Sequence, residues 1–203
     1  MLNTLLMTSW LCLPLAPLNP VAEDTLASSN LHFAVGVTNP NGIVTAGPLV
    51  SAKYEMLVMH PFMLRGTVDF KYGRVTSQLY PNGHLYSILF GIDAVYYRGT
   101  DHLTGYIGLG PVLSLHHFKW FDETADSLFA TEWITAVDMQ QRFGYRLTLG
   151  LRYNTCYSLE IAVVELHPDF KKTGVGIDGS ETRKYQTTRT GGFRITLGYL
   201  FEI

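Results

Sequence analysis

Apolar and polar residues alternate along most of this chain, and the alternation keeps its phase for long stretches. Leu31, Phe33, Val35 and Val37 alternate with His32, Ala34, Gly36 and Thr38. Val50, Ala52, Tyr54, Met56 and Val58 alternate with Ser51, Lys53, Glu55 and Leu57; Phe62, Leu64, Gly66, Val68, Phe70 and Tyr72 alternate with Arg65, Thr67, Asp69 and Lys71. Two further runs follow, Tyr86 to Tyr96 against Ser87, Gly91 and Asp93, and Ile107 to Leu115 against Tyr106, Gly108, Gly110, Ser114 and His116. A weaker run puts Trp133, Val137 and Met139 opposite Glu132, Ala136, Asp138 and Gln140. The longest carries Leu147, Leu149, Leu151, Tyr153, Tyr157, Leu159, Ile161 and Val163 against Arg146, Arg152 and Glu160. The last, Phe193 to Ile203, sets Ile195, Leu197, Tyr199 and Phe201 against Arg194, Thr196 and Gly198. A period of two marks strands with two unlike faces, so eight strands are expected.

The connections take turns between long and short. Asn39-Pro40-Asn41-Gly42, the segment with Pro81-Asn82-Gly83, the stretch around Phe121 to Leu128 and a charged loop from about His167 to Thr188 are long. His60-Pro61, Gly99-Thr100-Asp101 and Phe143-Gly144 read as tight turns. Such an order suits an up-and-down barrel with one rim of short turns and one of long loops. An even number of strands puts both termini at the same rim.

Alternation alone does not separate a barrel in lipid from a soluble lipocalin-type barrel with its apolar side chains inside. The content of the polar face does. It is rich in small residues, as a narrow lumen filled by side chains requires. Its charges nearly cancel: Lys53, Arg65, Lys71, Arg146, Arg152 and Arg194 stand against Glu55, Asp69, Asp93, Glu132, Asp138 and Glu160. Buried charges must be paired, so these twelve are expected to form an enclosed network. The apolar face carries Phe62, Tyr72, Tyr86, Tyr96, Tyr153 and Phe201 near strand ends, where aromatic girdles sit. The fold expected is an all-β, eight-stranded antiparallel up-and-down transmembrane β-barrel.

Composition agrees. Of 203 residues, 13% are aromatic and only 16% charged, and the net charge of −2 provides no basic footprint for nucleic acid. Residues 1–22 read as a signal peptide, with an apolar stretch from Leu5 to Leu15 followed by Pro17 and Pro20; residues 23–203 form the barrel domain. Removal of the signal leaves Cys156 as a lone cysteine, so no internal disulfide is expected. His116-His117 cannot chelate jointly, because adjacent strand residues face opposite ways. No metal or cofactor is expected, and no partner subunit.

The final segment, Gly192-Phe193-Arg194-Ile195-Thr196-Leu197-Gly198-Tyr199-Leu200-Phe201-Glu202-Ile203, resembles the terminal strand of bacterial outer-membrane proteins. Gly47-Pro48-Leu49-Val50-Ser51-Ala52-Lys53-Tyr54 and Tyr106-Ile107-Gly108-Leu109-Gly110-Pro111 are similar to segments of small OmpA/OmpX-like barrels. The resemblance implies a Gram-negative outer membrane, termini in the periplasm, contact with lipid and lipopolysaccharide, and assembly machinery that reads the last strand. That strand usually ends in an aromatic residue; here Ile203 is last and Phe201 stands two before it.

Some barrels of this kind modify lipid A. One deacylase family uses His and Ser two apart on a strand with a Glu on a neighbour. Ser114, His116 and Glu132 are the matching candidates here, in reversed order and without the Asn that follows in that family. Against them stands the reading of a non-enzymatic membrane protein that acts structurally or through its outer loops. There Lys171, Lys172, Arg183 and Lys184 suit the phosphates of lipopolysaccharide.

Overall fold

The computed structural model describes residues 29–40, 44–75, 83–100, 102–120, 132–176, 178–187 and 190–202. The proposed signal peptide lies outside the described residues. In chain order the strands are β1 (Ser29–Pro40), β2 (Gly47–Met59), β3 (Phe62–Val75), β4 (Gly83–Gly99), β5 (Leu103–Trp120), β6 (Glu132–Met139), β7 (Arg142–Tyr153), β8 (Tyr157–Glu165), β9 (Asp169–Gly176), β10 (Glu181–Thr187) and β11 (Gly192–Glu202). Eight of them close an antiparallel barrel in the order β1-β11-β8-β7-β5-β4-β3-β2. The terminal strands seal it, with Leu31 opposite Phe201 and Ala34 opposite Gly198.

Two expectations about individual strands fail, and their errors cancel in the count. The weak run around Trp133 is β6, which takes no place in the barrel wall. The long run from Leu147 to Val163 is two wall strands, β7 and β8, joined at Asn154-Thr155-Cys156. Phe143-Gly144, expected as a turn, lies inside β7 and pairs with Leu113 and Val112 of β5. The hidden turn is a matter of parity. Tyr153 pairs directly with Tyr157, and three turn residues between them leave outward positions outward, so the apolar phase passes through the reversal unbroken.

The segment from about His167 to Thr188, expected as a loop, contains β9 and β10. With β6 they form a separate three-stranded sheet in the order β10-β9-β6. β6 leads into β7, β8 into β9 and β10 into β11, so this sheet continues the β7-β8-β11 side of the wall as a blade. Main-chain bonds stitch the junction: Gln140 N–H donates to the Asp169 carbonyl at 3.0 Å and Thr190 N–H to that of Leu166 at 3.1 Å.

The wall sorts its side chains by parity. Val35 and Leu197 on the outside are 63% and 62% exposed, while Arg65 and Arg146 on the inside are 1% exposed. This inverts the arrangement of a water-soluble protein. Cross-strand rows of aromatics bound the apolar surface: Phe62 faces Tyr96 near the rim of short turns, and Tyr72 faces Tyr86 near the rim of long loops. The rows are ten residues apart on β3, from 62 to 72. At about 3.3 Å per residue and a strand tilt of about 35–45°, they enclose a belt roughly 25 Å tall, the height of the apolar band on a membrane barrel. On β3, β4 and β5 no Asp, Glu, Lys or Arg occupies an outward position between those rows.

Candidate functional site

The lumen is the site that sequence reasoning singled out, and it is built in layers. Towards the turn rim, Glu160 on β8 accepts hydrogen bonds from Lys53, from Arg65 Nη1 at 2.9 Å and from the Tyr106 hydroxyl at 2.6 Å. Arg65 Nε also donates to Glu55 at 2.7 Å, and Arg152 pairs with the other oxygen of Glu55. The ring of Tyr106 lies under both guanidinium groups, 4.7 Å from Arg65 and 5.1 Å from Arg152, close enough for cation–π attraction. Towards the loop rim, Arg146 bridges two carboxylates, donating to Asp69 at 3.0 Å and to Asp93 at 2.5 Å, and also donates to the Thr67 hydroxyl oxygen at 2.7 Å. Asp69 also accepts from Arg194 and from Ser51. Lys71 donates to the carbonyl of Thr190 at 2.7 Å.

Ten of the twelve charges expected in the lumen therefore stand there. Glu132 and Asp138 do not: both are on β6, where Glu132 is registered with Gly176 and Asp138, exposed, with Lys171. The near balance expected of the lumen is corrected with them. Among the described residues, six buried cations (Lys53, Arg65, Lys71, Arg146, Arg152, Arg194) face four buried carboxylates (Glu55, Asp69, Asp93, Glu160), a formal excess of two positive charges. Apolar clusters flank the network, with Met63, Val95 and Tyr97 towards the turns and Leu89, Val112, Val164 and Leu166 towards the loops. A cavity of about 20 Å³ lined by Lys71, Thr190 and Arg194 has room for a single water, far from a solute path.

The catalytic candidates do not assemble. Ser114 is fully buried and its hydroxyl donates to the Arg142 carbonyl at 3.1 Å. His116 Nδ1 bonds the Ser87 hydroxyl at 2.8 Å instead. Ser114 is registered with Arg142, and Glu132 lies ten residues before Arg142 in the chain, at the far end of β6. No group of three His, Cys, Asp or Glu suited to a metal occurs among the described residues.

The loop cations fall on the blade. Lys172 is registered opposite Lys184, Lys171 opposite Tyr185 and Arg183 opposite Thr173. Arg183 pairs with Glu181 at 3.0 Å. At the base of the blade Asp169 accepts from Thr187 at 2.8 Å and pairs with Arg142. The Thr187 hydroxyl first, and the Arg142 guanidinium beside it, hold the Asp169 carboxyl below its ordinary range.

Sequence reasoning missed several participants. Tyr106 and His32 were assigned to the lumen face but given no role. The Gly residues sharing that face are the signal that large side chains lie across them. Outside the wall, Arg74, His84 and Lys119 continue the outward phase past the last tyrosines and were passed over.

No family model matches the chain, and no curated protein matches its sequence. Solved structures do match. The outer membrane protein OprG from Pseudomonas aeruginosa aligns with a TM-score of 0.64 at 14% identity, covering 87% of this chain and 97% of OprG. This is the fold of the small bacterial outer-membrane barrels. Neisserial surface protein A aligns with a TM-score of 0.52 at 11% identity, over 87% of this chain and 98% of its own. Identities so low carry the outer-membrane barrel fold and nothing of activity.

Proposed function

We propose that this chain is an integral outer-membrane protein of a Gram-negative bacterium, without enzymatic activity, whose sealed barrel anchors a surface blade. The observation that carries the reading is the uncharged outward belt on β3 to β5, roughly 25 Å tall between its aromatic rows. Exposed Val, Leu, Ile and Phe on this scale are stable only against hydrocarbon. The filled lumen argues against conduction, and the separation of Glu132 from Ser114 and His116 argues against a deacylase. Function then falls to the loop rim, in a structural or surface-contact role. The first residues of β1 and the last of β11 lie at the turn rim, which we assign to the periplasm, and the last strand, with outward Phe201, is the segment for the assembly machinery.

The test is lipid dependence. The chain without residues 1–22 is expected to refold only in detergent or vesicles, to shift its gel mobility on heating and to give no stepwise conductance in planar bilayers. A β-rich monomer formed in plain buffer that ignores vesicles overturns the membrane reading. Steady conductance overturns the sealed lumen.

A further inference from the structure

Of the six lumen cations, Lys71 alone pairs with no carboxylate among the described residues. It is buried at the loop end of the lumen, where its ammonium group donates to the Thr190 carbonyl at 2.7 Å. The acid two positions before it on β3, Asp69, is taken by Arg146, Arg194 and Ser51. Asp93 is taken by Arg146. Among the described residues this layer sets three buried cations, Lys71, Arg146 and Arg194, against two buried carboxylates, Asp69 and Asp93, an excess of one positive charge. An ammonium group has three hydrogens to donate, and the carbonyl takes one. A buried charge without a counter-charge is costly.

Beside Lys71 lies the cavity of about 20 Å³. Lys71, Thr190 and Arg194 line it, with Leu49, Leu89 and Val164 as apolar walls. The Thr190 side chain is fully buried and its hydroxyl has no hydrogen-bond partner. The large majority of buried hydroxyls have one. An ammonium, a guanidinium and a hydroxyl, all able to donate, thus border one small space. A water there would satisfy the hydroxyl and leave the charge. A single small anion does both. The volume sets its class: the cavity takes one atom about the size of a water oxygen, which excludes phosphate, sulfate and carboxylates.

We infer that Lys71, Thr190 and Arg194 bind a monatomic halide, chloride under ordinary conditions, as the counterion of the loop-side lumen layer. The site goes beyond the anchoring role proposed above and stands on the lumen alone, whatever surrounds the barrel. It ties β3 to the segment from Thr190 to Arg194, through which β10 of the blade returns to β11. The anion is therefore a staple between the wall and the blade.

The chain without residues 1–22 is refolded in neutral detergent with chloride or with gluconate, an anion too large for the cavity, at equal ionic strength. The urea midpoint is expected to rise with chloride and to saturate, as binding to the folded state alone requires. Bromide in crystals of the same protein should give an anomalous scattering peak within hydrogen-bond reach of Lys71 Nζ. Lys71→Met removes the excess charge and should abolish the chloride response. Thr190→Val keeps the charge and should raise the half-saturating chloride concentration roughly tenfold, the loss of one hydrogen bond to a charged group. Arg183→Gln on the blade should leave the response as it is. Equal midpoints in the two salts, no bromide peak at Lys71, a chloride response that survives Lys71→Met, or an unchanged half-saturation in Thr190→Val each overturns the site. Heat-shifted gel mobility reports the closed barrel of every variant separately. A chain that folds equally well in plain buffer would sink the membrane reading and leave the comparison of chloride with gluconate intact.

Discussion

Tyr106 lies across Gly150. The two are cross-strand partners on β5 and β7, and a Cβ on Gly150 would sit 2.1 Å from the tyrosine ring. Gly150 is in turn the partner of Glu160 on β8. The missing side chain therefore lets Tyr106 cross one strand and donate its hydroxyl to Glu160 at 2.6 Å, beneath Arg65 and Arg152. Gly150→Ala is expected to push the ring out of this slot, break the bond to Glu160 and cost about 1–3 kcal/mol. Urea unfolding in lipid vesicles, followed by circular dichroism, measures it. Tyr106→Phe keeps the ring and loses only the hydroxyl, so it should cost less than Gly150→Ala; the reverse order would refute the slot.

Glu160 balances both Lys53 and Arg65. In a lumen with six cations and four carboxylates, Glu160→Gln raises the formal excess from two to three and leaves buried charge without its counterion. A loss of about 3–5 kcal/mol is expected, the range for removing one partner of a buried pair. Adding Lys53→Met to that variant returns the excess to two and should recover part of the loss. If the double variant unfolds at the same urea concentration as Glu160→Gln alone, charge compensation is not what the carboxylate supplies.

The alternation showed the barrel because lipid enforces it: outward positions between the aromatic rows must be uncharged, and the phase survives from Phe62 to Tyr72 on β3 and from Tyr86 to Tyr96 on β4. The same rule concealed the Tyr153–Tyr157 hairpin, whose three turn residues preserve parity. Asn154 was the available clue, since Asn tolerates the left-handed conformation found there, with φ 48°. β6 misled for a different reason. Glu132 and Asp138 alternate with apolar residues as lumen residues would, but period two reports two-sidedness and not which sheet a strand joins. Pairing partners depend on register between segments distant in sequence, here Asp138 with Lys171. The lumen network was legible in residue type and face. Its net charge was not, because two displaced carboxylates change the sum.

Acid should loosen the base of the blade. Asp169 has its carboxyl held below the ordinary range by Thr187 and Arg142. A depressed folded-state value means that its contribution is present above the unfolded-state pKa and is lost as pH falls through the folded one. Amide exchange at Gln140, whose N–H donates to the Asp169 carbonyl, should therefore quicken as pH drops below the usual carboxylate range, after correction for intrinsic rates. Asp169→Asn should remove that dependence, and its survival in the variant would assign it to another group.

The β7–β8 turn holds a residue poorly suited to it. Thr155 has φ 57°, a left-handed conformation that costs an L-residue roughly 1–2 kcal/mol and is an outlier for a β-branched side chain. Its hydroxyl makes only a local bond to the Asn154 carbonyl at 2.7 Å. Asparagine accepts this region through its short polar side chain, without the extra unfolded-state entropy that glycine brings. Thr155→Asn is thus expected to stabilise the barrel by about 0.5–1 kcal/mol, read as a higher urea midpoint with an unchanged slope. Thr155→Val keeps the branching, removes the hydroxyl and should destabilise. An unchanged or lower midpoint for Thr155→Asn would mean that the strained turn is held for another purpose, such as the Leu200 N–H bond to the Cys156 carbonyl at 2.7 Å, which ties this turn to the terminal strand.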